Sequence, residues 1–279
     1  MMIQVSGVMK ESCIIMSVYK NDNLEYLKDA IDSLLNQTYN SFHICICKDG
    51  PLPKDIDSVL EEYNKNIDEF TLLSNKNNEG LAKSLNKLID YVMTFDEVKY
   101  IVRMDSDDIS RKNRLERQID YINKNKLDVC GAFCREFGAS YSMDLKVVPL
   151  INKDIIVSSI DRCPFIHPTV IFRDIVFRNG LRYPEDTSFT EDMALWYKII
   201  ESGYITGNIP EVLLDYRLNE DTIIRRLGWA KGVSEFSIRY KYIRENHLLS
   251  VVSFLKVFSR LFFHILPVPI IKYLYKNFR

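Results

Sequence analysis

Short apolar runs alternate with amphipathic segments from Ser12 to Ile109. A short continuous apolar run is typical of a buried strand, whereas apolar residues spaced three and four apart are typical of a helix packed on a sheet. Their alternation predicts βαβ units, and therefore an α/β fold with a mostly parallel sheet, flanking helices and right-handed crossovers. The predicted strands are residues 12–18, 42–47, 70–73 and a fourth from 100, with helices at 24–36, 57–64 and 80–92.

The second half of the chain has weaker patterns. Its predicted elements are a charged helix at 112–124, a strand at 128–133, a strand ending at 173, a helix at 193–200 and a last strand ending at 217. Ser188 and Glu191 have the spacing of a capping box at the start of the helix predicted at 193–200. Since no repeat or low-complexity linker interrupts the first part, we expect one α/β unit over 1–220 and a basic helical region over 221–279.

The composition excludes several classes of protein. Hydrophobic residues make up 47% and charged residues 27% of the 279 residues, which is ordinary for a folded chain. The chain has 37 Lys and Arg against 38 Asp and Glu, so its net charge is near zero. Binding to nucleic acid through an overall positive charge is therefore not expected. The six cysteines lack a paired C-x₂-C motif, so we expect buried free thiols rather than a zinc site. Those thiols, and an N-terminus without the pattern of a signal peptide, predict a cytoplasmic protein.

Three carboxylates follow the fourth predicted strand. If the strand continued, Asp105 and Asp107 would project to one side and Asp108 to the other. Two converging carboxylates are typical of a site for Mg²⁺ or Mn²⁺, which completes its coordination shell with water and substrate phosphate. The alternative is an acidic turn or a helix cap, and we favour the cap for Asp108.

The segments that follow the first four strands are rich in polar residues. In open parallel sheets, ligands bind outside the carboxyl ends of the strands. We therefore expect these segments to line one crevice: residues 17–21, 48–50, 75–80 and 105–108.

Five motifs in this order resemble the inverting nucleotide-sugar glycosyltransferases of family two, which have the GT-A fold. The chain is most similar to bacterial enzymes that build O-antigen, capsule or exopolysaccharide, such as amylovoran-type galactosyl- and glucosyltransferases. The motifs are residues 16–21, Asp49-Gly50, residues 78–82 with Asn86, the D-x-D run at 104–108, and Thr190-Glu191-Asp192. The resemblance extends over about residues 12–240.

The resemblance implies a UDP-sugar donor. The residues that would contact it are Ser17, Val18, Tyr19, Asp49, Asn78, Gly80, Lys83 and Asp105. Asp49 would accept a hydrogen bond from the uracil N–H, and Asp107, with Asp105, would hold Mn²⁺ or Mg²⁺ on the diphosphate. Many family members have Arg immediately before the residue that matches Asn86, whereas this chain has Leu85; Lys83 could replace that Arg or be an ordinary surface lysine.

The resemblance also implies residues for the acceptor side. Asp192 would be the general base that removes the acceptor proton, and Glu191 would orient it or cap the helix. His167 would lie near the acceptor, although a structural histidine is the simpler interpretation. Candidate contacts to the diphosphate of the donor or of a lipid-linked acceptor are Arg217, Arg225 and Arg226. The acceptor class implied is a lipid-diphosphate-linked saccharide.

The tail after Leu248 interrupts its apolar runs with basic residues. No run reaches the roughly 20 apolar residues that a crossing helix needs, and the mixture is typical of a helix lying in the interface of an anionic bilayer. We therefore expect a peripheral protein on the cytoplasmic face of a bacterial inner membrane, with packing on the domain or dimerisation as the alternatives. Two other functions stay open: a sugar-phosphate nucleotidyltransferase, and an inactive nucleotide- or glycan-binding module.

Overall fold

The structure is a computed structural model that describes residues 9–187, 190–221, 228–264 and 266–278; at 262, 263 and 274–278 it describes the backbone alone. Within these ranges, eight strands form one sheet in the order β3-β2-β1-β4-β7-β6-β8-β5. The strands are β1 (Ser12–Val18), β2 (Phe42–Lys48), β3 (Phe70–Ser74), β4 (Tyr100–Arg103), β5 (Ile109–Ser110), β6 (Val129–Phe137), β7 (Ile171–Arg173) and β8 (Thr206–Arg217). β1 is parallel to β2 and β4, β2 to β3, and β6 to β8, whereas β7 is antiparallel to both its neighbours and β5 to β8. The predicted α/β fold with a mostly parallel sheet is confirmed.

Helices cover both faces of the sheet. They are α1 (Leu24–Leu35), α2 (Lys54–Asn66), α3 (Leu81–Val92), α4 (Arg114–Lys124), α5 (Asn152–Ser158), α6 (Asp174–Arg178), α7 (Glu191–Glu201), α8 (Trp229–Glu245), α9 (Val251–Phe263) and α10 (Val268–Phe278). Apolar residues of α1, α2 and α4 form one core with the sheet, and those of α3, α5, α6 and α7 form the other. The continuous apolar sequence of β1 follows from this arrangement, because both of its faces are buried.

The helices begin where their sequences allow. Asn23 caps α1, because its side-chain oxygen accepts hydrogen bonds from the backbone N–H groups of Glu25 and Tyr26. The capping box predicted for Ser188 and Glu191 depends on Ser188, which lies outside the described residues; Thr190 is the N-cap of α7. The Thr190 hydroxyl lies 2.9 Å from that of Ser234 on α8 and makes no capping bond to the α7 backbone.

The C-terminal helices pack on the α/β unit. Tyr242 of α8 stacks on Tyr197 of α7 with ring centroids 4.0 Å apart. The buried cluster that contains residues of α3 and α7 also includes Tyr242 and Ile243 of α8 and Val257 of α9. Within the described residues, no helix is both long and apolar enough to cross a bilayer.

Five of the cysteines are buried free thiols, as predicted. Cys163 is exposed instead, because it lies in the irregular segment before the 3₁₀ turn His167–Thr169 and not within a strand.

Candidate active site at the carboxyl ends of the central strands

Three parallel strands end side by side. Val18 at the end of β1 lies opposite Lys48 of β2, and Ile15 lies opposite Arg103 at the end of β4. The Asp49 N–H donates to the Val18 carbonyl at 2.7 Å, which joins the loop after β2 to the end of β1. The loops after β1, β2, β3 and β4 therefore adjoin one another, and the ligand crevice between them stays a prediction.

The three carboxylates after β4 converge. Oxygen atoms of Asp105, Asp107 and Asp108 all lie within 4.8 Å of one another. The predicted separation of Asp108 from the other two is wrong, because the strand ends at Arg103 and a turn at Ser106 and Asp107 replaces the alternating backbone. Three oxygen ligands, not two, therefore face one point.

Asp108 does not cap a helix. It is fully buried, and its Oδ1 accepts a hydrogen bond from the Arg217 N–H at 2.7 Å. Its Oδ2 is buried and has no hydrogen-bond partner among the described residues. Burial, followed by the charges of Asp105 and Asp107, raises the pKa of Asp108 well above its usual range. A cation or a proton would satisfy this oxygen.

Arg103, which was not singled out from the sequence, is the buried cation beneath the carboxylates. Its side chain is 1% exposed and forms an ion pair with Asp105. Burial opposes its charge, but the attraction of Asp105 raises the pKa of Arg103. The signal in the sequence was a charged residue inside an apolar strand.

The loop after β1 is tied to the Asp-rich turn. Asp22 Oδ2 accepts from the Tyr19 backbone N–H at 3.0 Å and from the Ser106 hydroxyl at 2.9 Å. Ser17 and Tyr19 are partly exposed, whereas the Val18 side chain is buried, so that Val18 could offer only its backbone to a ligand. Ser106, for which the sequence indicated no task, joins two loops of the crevice.

Asp49 organises the loop before α3. Its carboxylate accepts from the Asn75 side-chain amide at 3.0 Å and from the backbone N–H groups of Glu79 at 2.8 Å and Gly80 at 2.9 Å. A carboxylate offers about four lone-pair positions, and these three donors leave one on Oδ2 within the described structure. The predicted bond from a uracil N–H is compatible with that position and stays a prediction.

Asn78 passes directly over Gly50. A Cβ atom on Gly50 would lie 2.6 Å from the Asn78 backbone nitrogen, and the Gly50 φ angle is +87°. Asn78 itself is exposed. The Asp49-Gly50 motif therefore has a structural reason, since glycine alone fits where the two loops touch.

The residues around the missing arginine have different environments. Leu85 is fully buried in the core beside the sheet, whereas Lys83 is exposed on the first turn of α3. Asn86 is buried and donates to the Tyr183 carbonyl at 2.9 Å, while its own oxygen accepts from the Tyr183 N–H at 2.8 Å. Asn86 thus fixes Tyr183, a residue that sequence reasoning did not single out.

The first turn of α7 faces the same centre. Burial, and then the charge of Asp192, raises the pKa of Glu191, which also senses the charge of Arg103. Burial raises the pKa of Tyr183, Arg103 opposes that shift, and Asp192, Glu191 and Asp105 add to it. The charges of the α7 carboxylates and of Asp105 therefore both act on the buried Tyr183 phenol, and Glu191 and Asp105 both interact with the charge of the buried Arg103 guanidinium.

His167 lies within this cluster as a neutral ring. Its Nε2 is 2.8 Å from the Tyr183 hydroxyl, and its edge packs on Trp196 with centroids 5.9 Å apart. Burial, with a contribution from Arg103, lowers the pKa of His167 well below its usual range. The contacts are those of a structural histidine, and a contact with an acceptor stays a prediction.

Arg217 supports the Asp-rich turn. Its Nε donates to the Asp107 carbonyl at 2.8 Å, and its guanidinium lies 3.8 Å from the Tyr26 ring centroid. A contact with a diphosphate stays a prediction. Arg225 and Arg226 lie outside the described residues.

The carboxylates fit a divalent cation. Hard cations prefer oxygen ligands at about 2.1 Å, so two ligand oxygens on one ion lie at most about 4.2 Å apart. The cluster comes near this spacing, and the orphaned Asp108 oxygen adds a buried acceptor. A cation there beside a second acidic pair could stabilise a departing diphosphate while Asp192 or Glu191 takes a proton.

Comparison with known sequences gives relatives over nearly the whole chain. The family model described as "Glycosyl transferase family 2" matches residues 13–173. The UDP-Gal:alpha-D-GlcNAc-diphosphoundecaprenol beta-1,3-galactosyltransferase of Escherichia coli is 30% identical over 95% of this chain and 94% of its own. The amylovoran biosynthesis glycosyltransferase AmsE of Erwinia amylovora is 28% identical over 95% of this chain and 98% of its own.

Solved structures share the fold. S. aureus TarS residues 1–349 in complex with UDP-GlcNAc superposes with a TM-score of 0.64 at 16% identity, covering 90% of this chain and 70% of that one. Against a longer TarS chain, the match spans 43% of that chain. The mannosyltransferase PcManGT of Pyrobaculum calidifontis, in complex with GDP-Man and Mn²⁺, gives 0.60 at 12% identity over 97% of this chain and 74% of its own. The predicted GT-A fold is confirmed by these likenesses.

Proposed function

Because the chain belongs to glycosyl transferase family 2, we propose that it moves a hexose from a UDP-sugar to a lipid-linked saccharide with inversion at the anomeric carbon. UDP-galactose or UDP-glucose is the favoured donor, and surface polysaccharide biosynthesis is the process. The observation that carries the proposal is the cluster of Asp105, Asp107 and Asp108, together with the electrostatic influence that this turn and the start of α7 both have on Arg103 and Tyr183. Such a transfer needs one group that holds a cation on the charged leaving group and another that supplies the general base.

The donor would occupy the crevice beside β1, β2 and β3. Its base would lie near the Tyr19 ring and Asp49, where a planar, partly apolar group meets one remaining acceptor position. Backbone groups at Ser17, Val18, Asn78 and Gly80 would contact the same donor. Lys83, exposed one turn into α3, is the cation that would reach a phosphate in place of the arginine missing at Leu85.

Asp105 and Asp107 would hold Mn²⁺ or Mg²⁺, with the buried Oδ2 of Asp108 as a third ligand. When bound, the cation neutralises the negative charge that develops on the β-phosphate oxygen as the bond to the anomeric carbon breaks. Arg103 holds Asp105 from below, and Arg217 holds the backbone of the turn.

Asp192 would act as the general base. In an in-line displacement, the acceptor hydroxyl oxygen forms a bond to the anomeric carbon on the face opposite UDP while its proton moves to the Asp192 carboxylate. No covalent enzyme intermediate forms. Glu191, whose pKa is raised by burial and by Asp192, is the neighbour that orients this group.

The acceptor is inferred from the relatives. The Escherichia coli relative is named for transfer to GlcNAc-diphosphoundecaprenol, and the Erwinia relative for the biosynthesis of amylovoran. A lipid-linked acceptor would require the enzyme to work at a membrane surface, and a nucleotide-sugar donor favours the cytoplasmic side.

The test combines purified protein, UDP-galactose or UDP-glucose, Mn²⁺ and a synthetic GlcNAc-diphosphate-lipid. We expect release of UDP that depends on acceptor and metal, and a product of opposite anomeric configuration by NMR. Release of pyrophosphate from a sugar phosphate and a nucleoside triphosphate would identify a nucleotidyltransferase instead. Binding of UDP without turnover of any donor would identify an inactive binding module.

A further inference from the structure

The outward side of α9 carries a row of exposed apolar residues. Val251 is 77% exposed, Leu255 57%, and Phe254 and Phe258 38% each. Their positions i, i+3, i+4 and i+7 form one face of the helix, which we call the apolar stripe. Its two aliphatic members are more exposed than its two aromatic members.

The apolar stripe is held in place by the rest of the molecule. On the other side of α9, Val257 and Ser253 are buried against the α/β unit. Phe254 packs edge-on against Tyr240 of α8, and Phe258 against Phe236. The stripe is therefore the second apolar face of a helix whose first face is already packed.

The C-terminal sequence that contains the apolar stripe is basic, and within it Arg260 pairs with Glu235 and Lys272 with Glu220. From Asn246 to Arg279 the sequence contains no Asp or Glu, and its cations are Lys256, Arg260, Lys272, Lys276 and Arg279. On the adjacent helix α8, Lys241 is exposed. Lys256 flanks the stripe and lies 3.7 Å from Asp161, and Glu245 at the end of α8 pairs with Arg244.

We propose that the apolar stripe inserts into the headgroup boundary of an anionic membrane, with Lys241 near the lipid phosphates. α9 has 13 residues, a length of about 20 Å, which is shorter than the roughly 30 Å hydrocarbon core, so it lies in the plane of the interface. A second copy of the chain fits less well, because a self-complementary contact would bring the same basic surfaces together. The inference deepens the proposed function but rests on this surface alone.

The experiment compares binding of the full chain to sedimenting vesicles of phosphatidylcholine with and without phosphatidylglycerol. We expect wild type to sediment with the anionic vesicles, and Val251→Asp/Leu255→Asp to lose at least about tenfold in affinity. The matched control is Leu145→Asp/Val147→Asp, which changes the same two residue types at sites 50% and 61% exposed outside the stripe; it should bind like wild type. Lys241→Ala should weaken binding to anionic vesicles about fivefold.

Equal binding by the two double variants, or no binding of wild type to either vesicle, would overturn the proposal. So would a dimer in vesicle-free buffer that the Val251→Asp/Leu255→Asp variant alone dissociates, since the occupant would then be a second copy. Transfer of the sugar to a water-soluble acceptor reports on the proposed function separately. It is measured as UDP release, without vesicles, on the same proteins. Transfer there with no vesicle binding would reject the membrane surface and leave the enzyme intact.

Discussion

One buried guanidinium, that of Arg103, connects the acidic groups of the candidate site. It pairs with Asp105, and its charge acts on Asp108, Glu191 and the Tyr183 phenol. Its Nε and Nη1 are buried without hydrogen-bond partners in the described part of the chain. A guanidinium so placed offsets the repulsion between carboxylates brought together for chemistry, which explains a cation at the end of an apolar strand.

Replacing Asp192 tests the general base. Asp192→Asn keeps the size of the side chain but cannot take the acceptor proton, so we expect kcat to fall by about 10²- to 10⁴-fold. The affinity for UDP, measured by calorimetry, should not change, because the proposed role of the residue is toward the acceptor and not the nucleotide. Glu191→Gln is the matched control and should lose less. An Asp192→Asn enzyme with full activity would reject the assignment.

Gly50 tests the contact between the loops that would hold the nucleotide. In Gly50→Ala the new methyl group meets the Asn78 backbone at 2.6 Å, in addition to the strain of φ +87°. We expect a several-fold increase in the KM for the UDP-sugar and a lower melting temperature. Gly180→Ala has the same strain at φ +89° but nothing within 4 Å, so it should lower the melting temperature by a smaller amount and leave the KM unchanged. Equal KM values in the two variants would contradict this account.

At the scale of elements, a buried carboxylate joins the C-terminal helices to the catalytic half. Glu235 of α8 accepts from Arg239 at 2.8 Å, from Arg260 of α9 at 3.0 Å and from His264 at 2.8 Å. Arg239 also donates to the Ser159 carbonyl at 2.9 Å. Together with the contact between Thr190 and Ser234, these bonds attach α8 to the start of α7 and to the segment that leads to His167.

Glu235→Gln should therefore destabilise the protein in a pH-dependent way. Burial alone would raise the pKa of Glu235, but the hydrogen bond from His264 and the charges of Arg239 and Arg260 hold it well below its usual range. Stability from a lowered pKa is complete above the unfolded value and declines as the pH falls toward the folded value. We expect a loss of roughly 3–5 kcal/mol at pH 7 that shrinks below about pH 4.5.

Urea unfolding at pH 7 and pH 4 measures this difference. Glu211→Gln removes an exposed carboxylate paired with Arg117 and should change stability little. A difference between wild type and Glu235→Gln that stays constant across this range would show that the ionised network is not the cause.

The elements were predictable where their periodicity is clear. β1 and α3 agree closely with the sequence prediction, because a strand buried on both faces and an amphipathic helix leave unmistakable patterns. α5 was missed, and β6 was predicted to end at Phe133 although it continues to Phe137 past register shifts against β8. Such irregular pairing depends on tertiary contacts that a local pattern does not record.

The site was predictable as an order of motifs and not as a set of contacts. The acidic motifs at Asp105 and Asp192 were recognised because each has its own local sequence. Tyr183 was missed because no local pattern marks it. Its position is fixed by hydrogen bonds between its backbone and the side chain of Asn86, 97 positions earlier in the chain. The backbone turn at Ser106 and Asp107, which brings Asp108 to the other two carboxylates, was also missed. Side chains alternate between the two faces only while the strand continues, and this strand ends at Arg103.

At the scale of the whole molecule, the site is built from loops that different parts of the chain supply, so a ligand that bridges them should stabilise the fold. A ligand at about 100 times its Kd adds about 2.7 kcal/mol. For a chain of this size, 1 kcal/mol shifts the melting temperature by about 2–4 °C. We expect UDP with Mn²⁺ to raise it by about 5–10 °C.

Omitting either component identifies what each contributes. UDP with a chelator should give a much smaller shift, because the diphosphate would then meet the carboxylates of Asp105 and Asp107 without a cation between them. Asp107→Asn should reduce the shift in the presence of Mn²⁺, and GDP should reduce it in the unchanged protein if Asp49 recognises the uracil N–H. An equal shift with and without the chelator would mean that the nucleotide binds away from the carboxylates, and the proposed leaving-group stabilisation would then have no structural basis.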